Sequence, residues 1–256
     1  VTGGDGVRTV GHGEHRVIGL HGWFGSAAGW GQLPDLVDRE AFTWAFPDLR
    51  GYGARRDEPG AHTVAEVAAD VLTLADRLGW DRFSLVGHSM GAKYAQQVLA
   101  DAPDRVRRLV AISGVPAGPT PFDPEGRALF DGAAGDRDAR YAIIDLTTGN
   151  RLPRAFVDGL VQHSLDAADP AAFAGYLTAW ADEDISAAVG AVAGRVPVLC
   201  VAGRHDPALG EDALRATWLA AHPGAELVVL AEAGHYAMYE TPPVLVAVVE
   251  EFLGRG

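Results

Sequence analysis

Apolar positions along the chain follow two alternating rhythms. Short continuous apolar runs, suited to strands buried on both faces, alternate with stretches in which apolar residues recur every three or four positions. The runs predict strands at Val7–Val10, Arg16–Leu20, Phe42–Phe46, Phe83–Val86, Arg108–Ile112, Val198–Ala202 and Glu226–Leu230, the first two joined by the turn Gly11-His12-Gly13-Glu14. The helical rhythm is clearest over Val64–Leu78, where Val64, Val67, Ala68, Val71, Leu74, Ala75 and Leu78 share one face. Further helices are predicted over Trp30–Val37, Ala92–Ala100, Glu211–Ala221 and Pro243–Leu253, the last with Thr241 as its N-cap and proline in its first turn.

The alternation stops between Val115 and about Asp184. That region offers only helical candidates, at Glu125–Phe130, Asp138–Leu146, Pro153–Leu165 and Pro170–Ala181. Strands alternating with helices predict an α/β fold with a mostly parallel central sheet flanked by helices. A helical insertion in such a series predicts a cap over one end of the sheet. Residues 1–114 and 185–256 then form the core domain and 115–184 the helical cap.

Composition narrows the function classes. The 256 residues are 48% hydrophobic, enough for one large domain with a sizeable core. No apolar run approaches the length of a membrane span. A net charge of −13 argues against nucleic acid and anionic membrane as partners, because both reward basic patches. Val1–Arg8 is glycine-rich and polar, and the single cysteine, Cys200, can form no internal disulfide; together they predict a cytoplasmic protein. Lys93 is the only lysine, which reads as genome base composition.

Chemistry in a parallel sheet belongs just past the carboxyl ends of the strands. Three segments meet that rule. The run Ser84–Val86 ends in Gly87-His88-Ser89-Met90-Gly91, a strand–turn–helix pattern that pushes the Ser89 hydroxyl out of the sheet. Gly203-Arg204-His205-Asp206 follows one later strand, and Gly234-His235-Tyr236 follows the next. Ser89 as nucleophile needs a base, which His235 supplies. That imidazole needs a carboxylate to hold it, and Asp206 stands in the expected chain order. Taken singly, a serine between glycines, an Asp-Pro pair or a Gly-His step is an ordinary turn. Their joint order at strand ends gives the catalytic reading its weight. The N–H of Met90, at the head of the following helix, is an oxyanion donor.

With these residues the chain resembles the α/β-hydrolase superfamily over nearly its whole length. The matching pieces are His21-Gly22-Trp23-Phe24, Pro47-Asp48-Leu49-Arg50-Gly51-Tyr52-Gly53, the serine turn, Gly203-Arg204-His205-Asp206-Pro207 and Gly234-His235. The resemblance implies a second oxyanion donor at the N–H of Trp23. It also implies a cleaved ester, lactone or related small acyl substrate, with no cofactor and no metal. The His-Gly-Trp loop is similar to that of small carboxylesterases. The same triad serves thioester and C–C bond hydrolysis and cofactor-free perhydrolysis in relatives, and others are ligand sensors with slow turnover. Two features depart from the family pattern. Arg55 stands where many relatives have Ser or Thr, and the extended His-Gly-Gly-Gly loop is absent.

Aromatic side chains near these loops predict an apolar pocket formed by Phe24, Tyr141, Tyr176, Trp180 and Tyr236, with Phe122 and Met238 as further candidates. His21 and His88 read as residues that fix loop geometry. Lys93, one turn past Ser89, misses the Ser-x-x-Lys spacing by one residue and reads as structural. No His/Cys/Asp cluster has metal-ligand spacing.

Overall fold

In a computed structural model, which describes residues 6–255, the apolar runs pair into one seven-stranded sheet. The strands are β1 (Val7–Gly11), β2 (His15–Leu20), β3 (Phe42–Pro47), β4 (Phe83–His88), β5 (Val106–Ile112), β6 (Val198–Gly203) and β7 (Glu226–Leu230). Their order is β1-β3-β2-β4-β5-β6-β7, and every pairing is parallel except β1 with β3. Strands β3, β4 and β6 are buried at every position, which explains their unbroken apolar runs.

The strands predicted on either side of the first turn are both present, but β3 lies between them. Their connection must therefore pass the start of β3. A Cβ at Gly11 would stand 2.1 Å from the Phe42 carbonyl oxygen, and one at Gly13 would stand 2.0 Å from the Ala41 carbonyl carbon. Only glycine clears that crossing.

Three α-helices precede β5 among the described residues: the short α1 (Leu33–Leu36), α2 (Val64–Arg77) and α3 (Met90–Asp101). Helix α2 follows its predicted stripe and starts where the Thr63 hydroxyl accepts the N–H of Glu66 at 3.2 Å. Helix α1 covers only half of its predicted span, with Pro34 in its first turn.

Between β5 and β6 the chain makes α4 (Pro124–Gly132), α5 (Arg137–Thr147), α6 (Arg154–Ala167), α7 (Pro170–Asp182) and the short α8 (Ser186–Ala191). Asp123, Asp136 and Asp169 cap α4, α5 and α7 through their carboxylates. These caps place the helix starts within a residue or two of the pattern-based reading. After β6 come α9 (Glu211–Leu214), α10 (Ala237–Glu240) and α11 (Pro242–Gly254). The helix expected over Glu211–Ala221 is interrupted by a π turn at Arg215–Leu219. No helix among the described residues is long and apolar enough to cross a membrane.

Candidate active site

Strand β4 ends at His88 and α3 begins at Met90, leaving Ser89 alone between them at φ +52°, ψ −119°. A side chain in that region is strained, so its surroundings must hold it there. The Ser89 N–H donates to the Ile112 carbonyl at 3.0 Å, and its own carbonyl accepts from Ala92 (3.0 Å) and Val115 (3.1 Å). The flanking glycines are steric necessities. A Cβ at position 87 would lie 2.4 Å from the Ala92 Cα, and one at position 91 would lie 2.2 Å from the Leu20 carbonyl oxygen.

The loops after β6 and β7 meet at Gly203, where a Cβ would stand 2.0 Å from the Gly234 carbonyl oxygen. That close approach brings Asp206 and His235 together. Oδ2 of Asp206 accepts from Nδ1 of His235 at 2.6 Å, while Oδ1 accepts the N–H groups of Ala208 and Leu209, each at 3.0 Å. Burial alone would raise the carboxyl pKa. The facing imidazole and the two main-chain donors outweigh it and hold Asp206 below the usual carboxylate range. With Nδ1 engaged, Nε2 of His235 is the nitrogen left for chemistry.

Two further histidines frame the pair. His88 donates from Nε2 to the His235 carbonyl at 2.9 Å. Burial, with His235 adjacent, pushes its pKa down to about 3, so it is neutral and its one N–H is committed. His21 bonds the Gly22 carbonyl through Nδ1 at 2.9 Å and accepts the Leu49 N–H at Nε2 at 3.3 Å, tying the loop after β2 to the loop after β3.

The loop after β2 abuts the serine: a Cβ at Gly22 would meet Nδ1 of His88 at 2.6 Å and Cβ of Ser89 at 3.2 Å. Trp23, the next residue, is fixed from three directions. Its carbonyl accepts from the Tyr52 hydroxyl at 2.8 Å, its Nε1 donates to the Phe173 carbonyl at 2.8 Å, and its ring stacks on Phe173 at 4.0 Å. Met90 lies in the first turn of α3, where main-chain N–H groups have no partner within the helix.

Ser89, His88 and His235 open on a cavity of about 120 Å³. Trp23, Phe24, Ala208, Leu209 and Tyr236 line it from the core. Val115, Thr120, Phe122, Phe130, Ile143, Thr147 and Trp180 line it from the segment between β5 and β6. No Lys, Arg, Asp or Glu is among these residues.

Of the residues expected to form a pocket, Phe24, Phe122, Trp180 and Tyr236 line this cavity, and Tyr141 and Tyr176 do not. Tyr141 is two residues from the lining Ile143 on α5, about 200° around the helix, and lies instead under the Arg154 guanidinium at 5.5 Å. Tyr176 is fully buried one turn from Trp180, packed on Tyr52 at 5.5 Å and His62 at 5.0 Å. Met238 is buried outside the cavity. Phe130, Ile143, Thr147, Thr120 and Leu209 were not anticipated. Ile143 and Thr147, four residues apart on α5, carry a face-sharing signal that could have found them.

Two other charged positions are accounted for by packing. Lys93 Nζ donates to the carbonyls of Gly118, Trp180 and Glu183. Arg55 bonds Asp70 at 2.9 Å and Glu58 at 2.5 Å beside a separate cavity of about 360 Å³, where Arg50 also pairs with Asp70. Among the described residues no three His, Cys, Asp or Glu side chains gather as a metal site.

The profile of a family described as alpha/beta hydrolase fold matches residues 16–242. The chain belongs to this family. It is 27% identical over 275 residues to the 2-hydroxy-6-oxononadienedioate/2-hydroxy-6-oxononatrienedioate hydrolase of Klebsiella pneumoniae, covering 97% of this chain and 90% of that protein. It is 29% identical over 266 residues to the dihydrolipoyllysine-residue acetyltransferase component of the acetoin cleaving system of Cupriavidus necator, covering 98% of this chain and 67% of that one. A solved hydrolase structure from Oleispira antarctica superposes with a TM-score of 0.86 at 17% identity, covering 98% and 95% of the two chains, a likeness of fold.

Proposed function

We propose that this alpha/beta hydrolase is a serine hydrolase for small, uncharged carboxylic esters, lactones or related acyl compounds, with Ser89, His235 and Asp206 as its triad. The observation that carries the reading is the strained Ser89 opening on the same apolar cavity as His235, whose far nitrogen is held by buried Asp206.

In this reading Ser89 Oγ attacks the substrate carbonyl as Nε2 of His235 takes its proton. Asp206 holds the imidazole in that tautomer and balances the positive charge it gains. The N–H groups of Trp23 and Met90 receive the oxyanion, each worth about 3 kcal/mol in the transition state. The imidazolium then protonates the leaving alcohol, and a water activated by the same nitrogen releases the acid. The helices between β5 and β6 act as the cap that shields these steps from bulk water.

The cavity walls speak to substrate charge. The Klebsiella relative is named for a dioate, which carries two carboxylates. A cavity with no cationic side chain among its described lining residues would strip such charges of water and give nothing back. Neutral acyl groups of a few carbons suit its volume and its aromatic walls.

Fluorophosphonate treatment with peptide mapping, run beside a p-nitrophenyl ester series from acetate to octanoate, tests the proposal. The expected result is labelling at Ser89 and an optimum at short chains, both lost in a folded Ser89→Ala protein. Ester hydrolysis that survives Ser89→Ala would remove Ser89 as the nucleophile.

A further inference from the structure

Three consecutive main-chain N–H groups around His235 are held by partners beyond their own loop. Gly234 donates to Oε2 of Glu240 at 2.8 Å, His235 to the Thr147 carbonyl at 3.1 Å, and Tyr236 to Oε1 of Glu240 at 3.0 Å. The Glu240 side chain is 1% exposed. A buried carboxylate is costly unless it is hydrogen-bonded and paired. Arg151, in the stretch between α5 and α6, completes the pairing: its guanidinium donates to Oε2 of Glu240 and, at 2.8 Å, to the Glu232 carbonyl. The two N–H groups that flank His235 thus converge on one side chain. Only a carboxylate offers them two acceptor oxygens and no donor; a glutamine would turn its NH₂ towards one of them. Glu240 is not among the residues that line the cavity, so it reaches the reaction through the main chain of His235.

We propose that Glu240 is a positioning residue for proton transfer by His235, and that Arg151 ties its hold to the helical insertion. The inference rests on the hydrolase reading above and deepens it. Asp206 fixes the imidazole through Nδ1, and Glu240 fixes the main chain that carries the imidazole. Nε2 has two places to serve in turn, the Ser89 oxygen whose proton it takes and the leaving oxygen to which it gives that proton. An imidazole on a loosened main chain fails at both, so the error counts twice wherever the leaving group needs a proton.

Two esters with the same acyl group test this. p-Nitrophenyl butanoate releases p-nitrophenolate without a proton, whereas ethyl butanoate, followed by pH-stat, needs His235 to protonate the departing ethoxide. The ratio of their kcat/KM values, p-nitrophenyl over ethyl, is compared among variants with near-native circular dichroism. Glu240→Gln is expected to lose about tenfold on the p-nitrophenyl ester and about a hundredfold on the ethyl ester, so the ratio rises about tenfold. Arg151→Met should raise it about threefold, and Arg151→Lys should bring it back. A role in stability alone would lower the melting temperature and leave the ratio where it was; that result in Glu240→Gln overturns the proposal and leaves the hydrolase reading standing. A ratio that rises in Glu240→Gln but not in Arg151→Met overturns the tie to the insertion. If Glu240→Gln does not fold, Arg151→Met decides: a raised ratio supports the proposal and an unchanged one overturns it. Failure of fluorophosphonate to label Ser89 overturns the hydrolase reading and the proposal with it. If Ser89 is labelled without ester turnover, the labelling rate takes the place of the ratio. A fall of about tenfold in folded Glu240→Gln then supports the proposal, and an unchanged rate overturns it.

Discussion

The phenol of Tyr52 donates a 2.8 Å hydrogen bond to the main-chain carbonyl of Trp23, joining the loop after β3 to the loop that abuts Ser89. Tyr52 is fully buried, with His21 edge-on at 4.8 Å, so its hydroxyl has little freedom to swing away. In the proposed mechanism the Trp23 N–H receives the oxyanion, and Tyr52 positions it without touching substrate. Tyr52→Phe should lower kcat about tenfold with little change in KM, since a loosened donor is felt chiefly in the transition state. The fold should lose about 1 kcal/mol. Steady-state kinetics check the split; equal losses in kcat and in ester binding would show that Tyr52 only shapes the cavity.

In the same proposed mechanism, Asp206→Asn isolates the electrostatic role of the carboxylate. The amide oxygen can still accept from Ala208 and Leu209, so the turn should keep its form. The amide facing Nδ1 can no longer enforce the productive imidazole tautomer or balance its charge. The expected loss in kcat is about 10⁴-fold with near-native circular dichroism. A loss of tenfold or less would mean that a different carboxylate supports His235.

The sequence reveals the parts of this molecule that repeat a local rule. Every strand that was read from an apolar run is present, and Ser89, Asp206 and His235 each follow one of them. What it concealed depends on rotation and depth. Tyr141 and Ile143 are two residues apart on α5 yet face opposite ways, and composition favours the wrong one, the larger aromatic. Tyr176 and Trp180 share a stripe of α7, but one turn of rise puts the first against Tyr52 and the second in the cavity wall. The wall residue Thr120 sits in a loop with no period to reveal it.

Acid should destabilise the fold through histidines that burial keeps neutral. Burial is the main cause that lowers His21, His88, His163 and His222 below their ordinary 6.5, His88 to about 3 and His222 to about 4. These groups take up protons on unfolding. The unfolded chain therefore binds more protons between about pH 6.5 and 4, and stability, fully present above 6.5, is lost as the pH falls through that window. For His222, bonded to Gln96 at 3.1 Å, the slope is up to about 1.4 kcal/mol per pH unit. Urea titrations from pH 7 to 4 should show it, and His222→Gln should flatten the dependence by one proton. An unchanged slope in that variant would mean His222 charges within the fold.

Lys93 ties the two ends of the helical insertion to α3. Gly118, whose carbonyl accepts from Nζ at 3.3 Å, precedes the first insertion helix; Trp180, at 3.0 Å, and Glu183 close the last long one. Burial lowers the ammonium pKa to about 8, with Glu183, Asp184 and Asp182 opposing the shift. Lys93→Met would relieve that burial and leave three carbonyls short of a donor, so the net change in global stability should be small while both ends are released together. Hydrogen exchange should then quicken about tenfold in peptides over 117–123 and 179–185, with β4 and β5 unchanged. Faster exchange in β4 as well would make Lys93 a general core residue, and unchanged exchange at both ends would show that aromatic packing on Trp23 and Phe173 holds the insertion by itself.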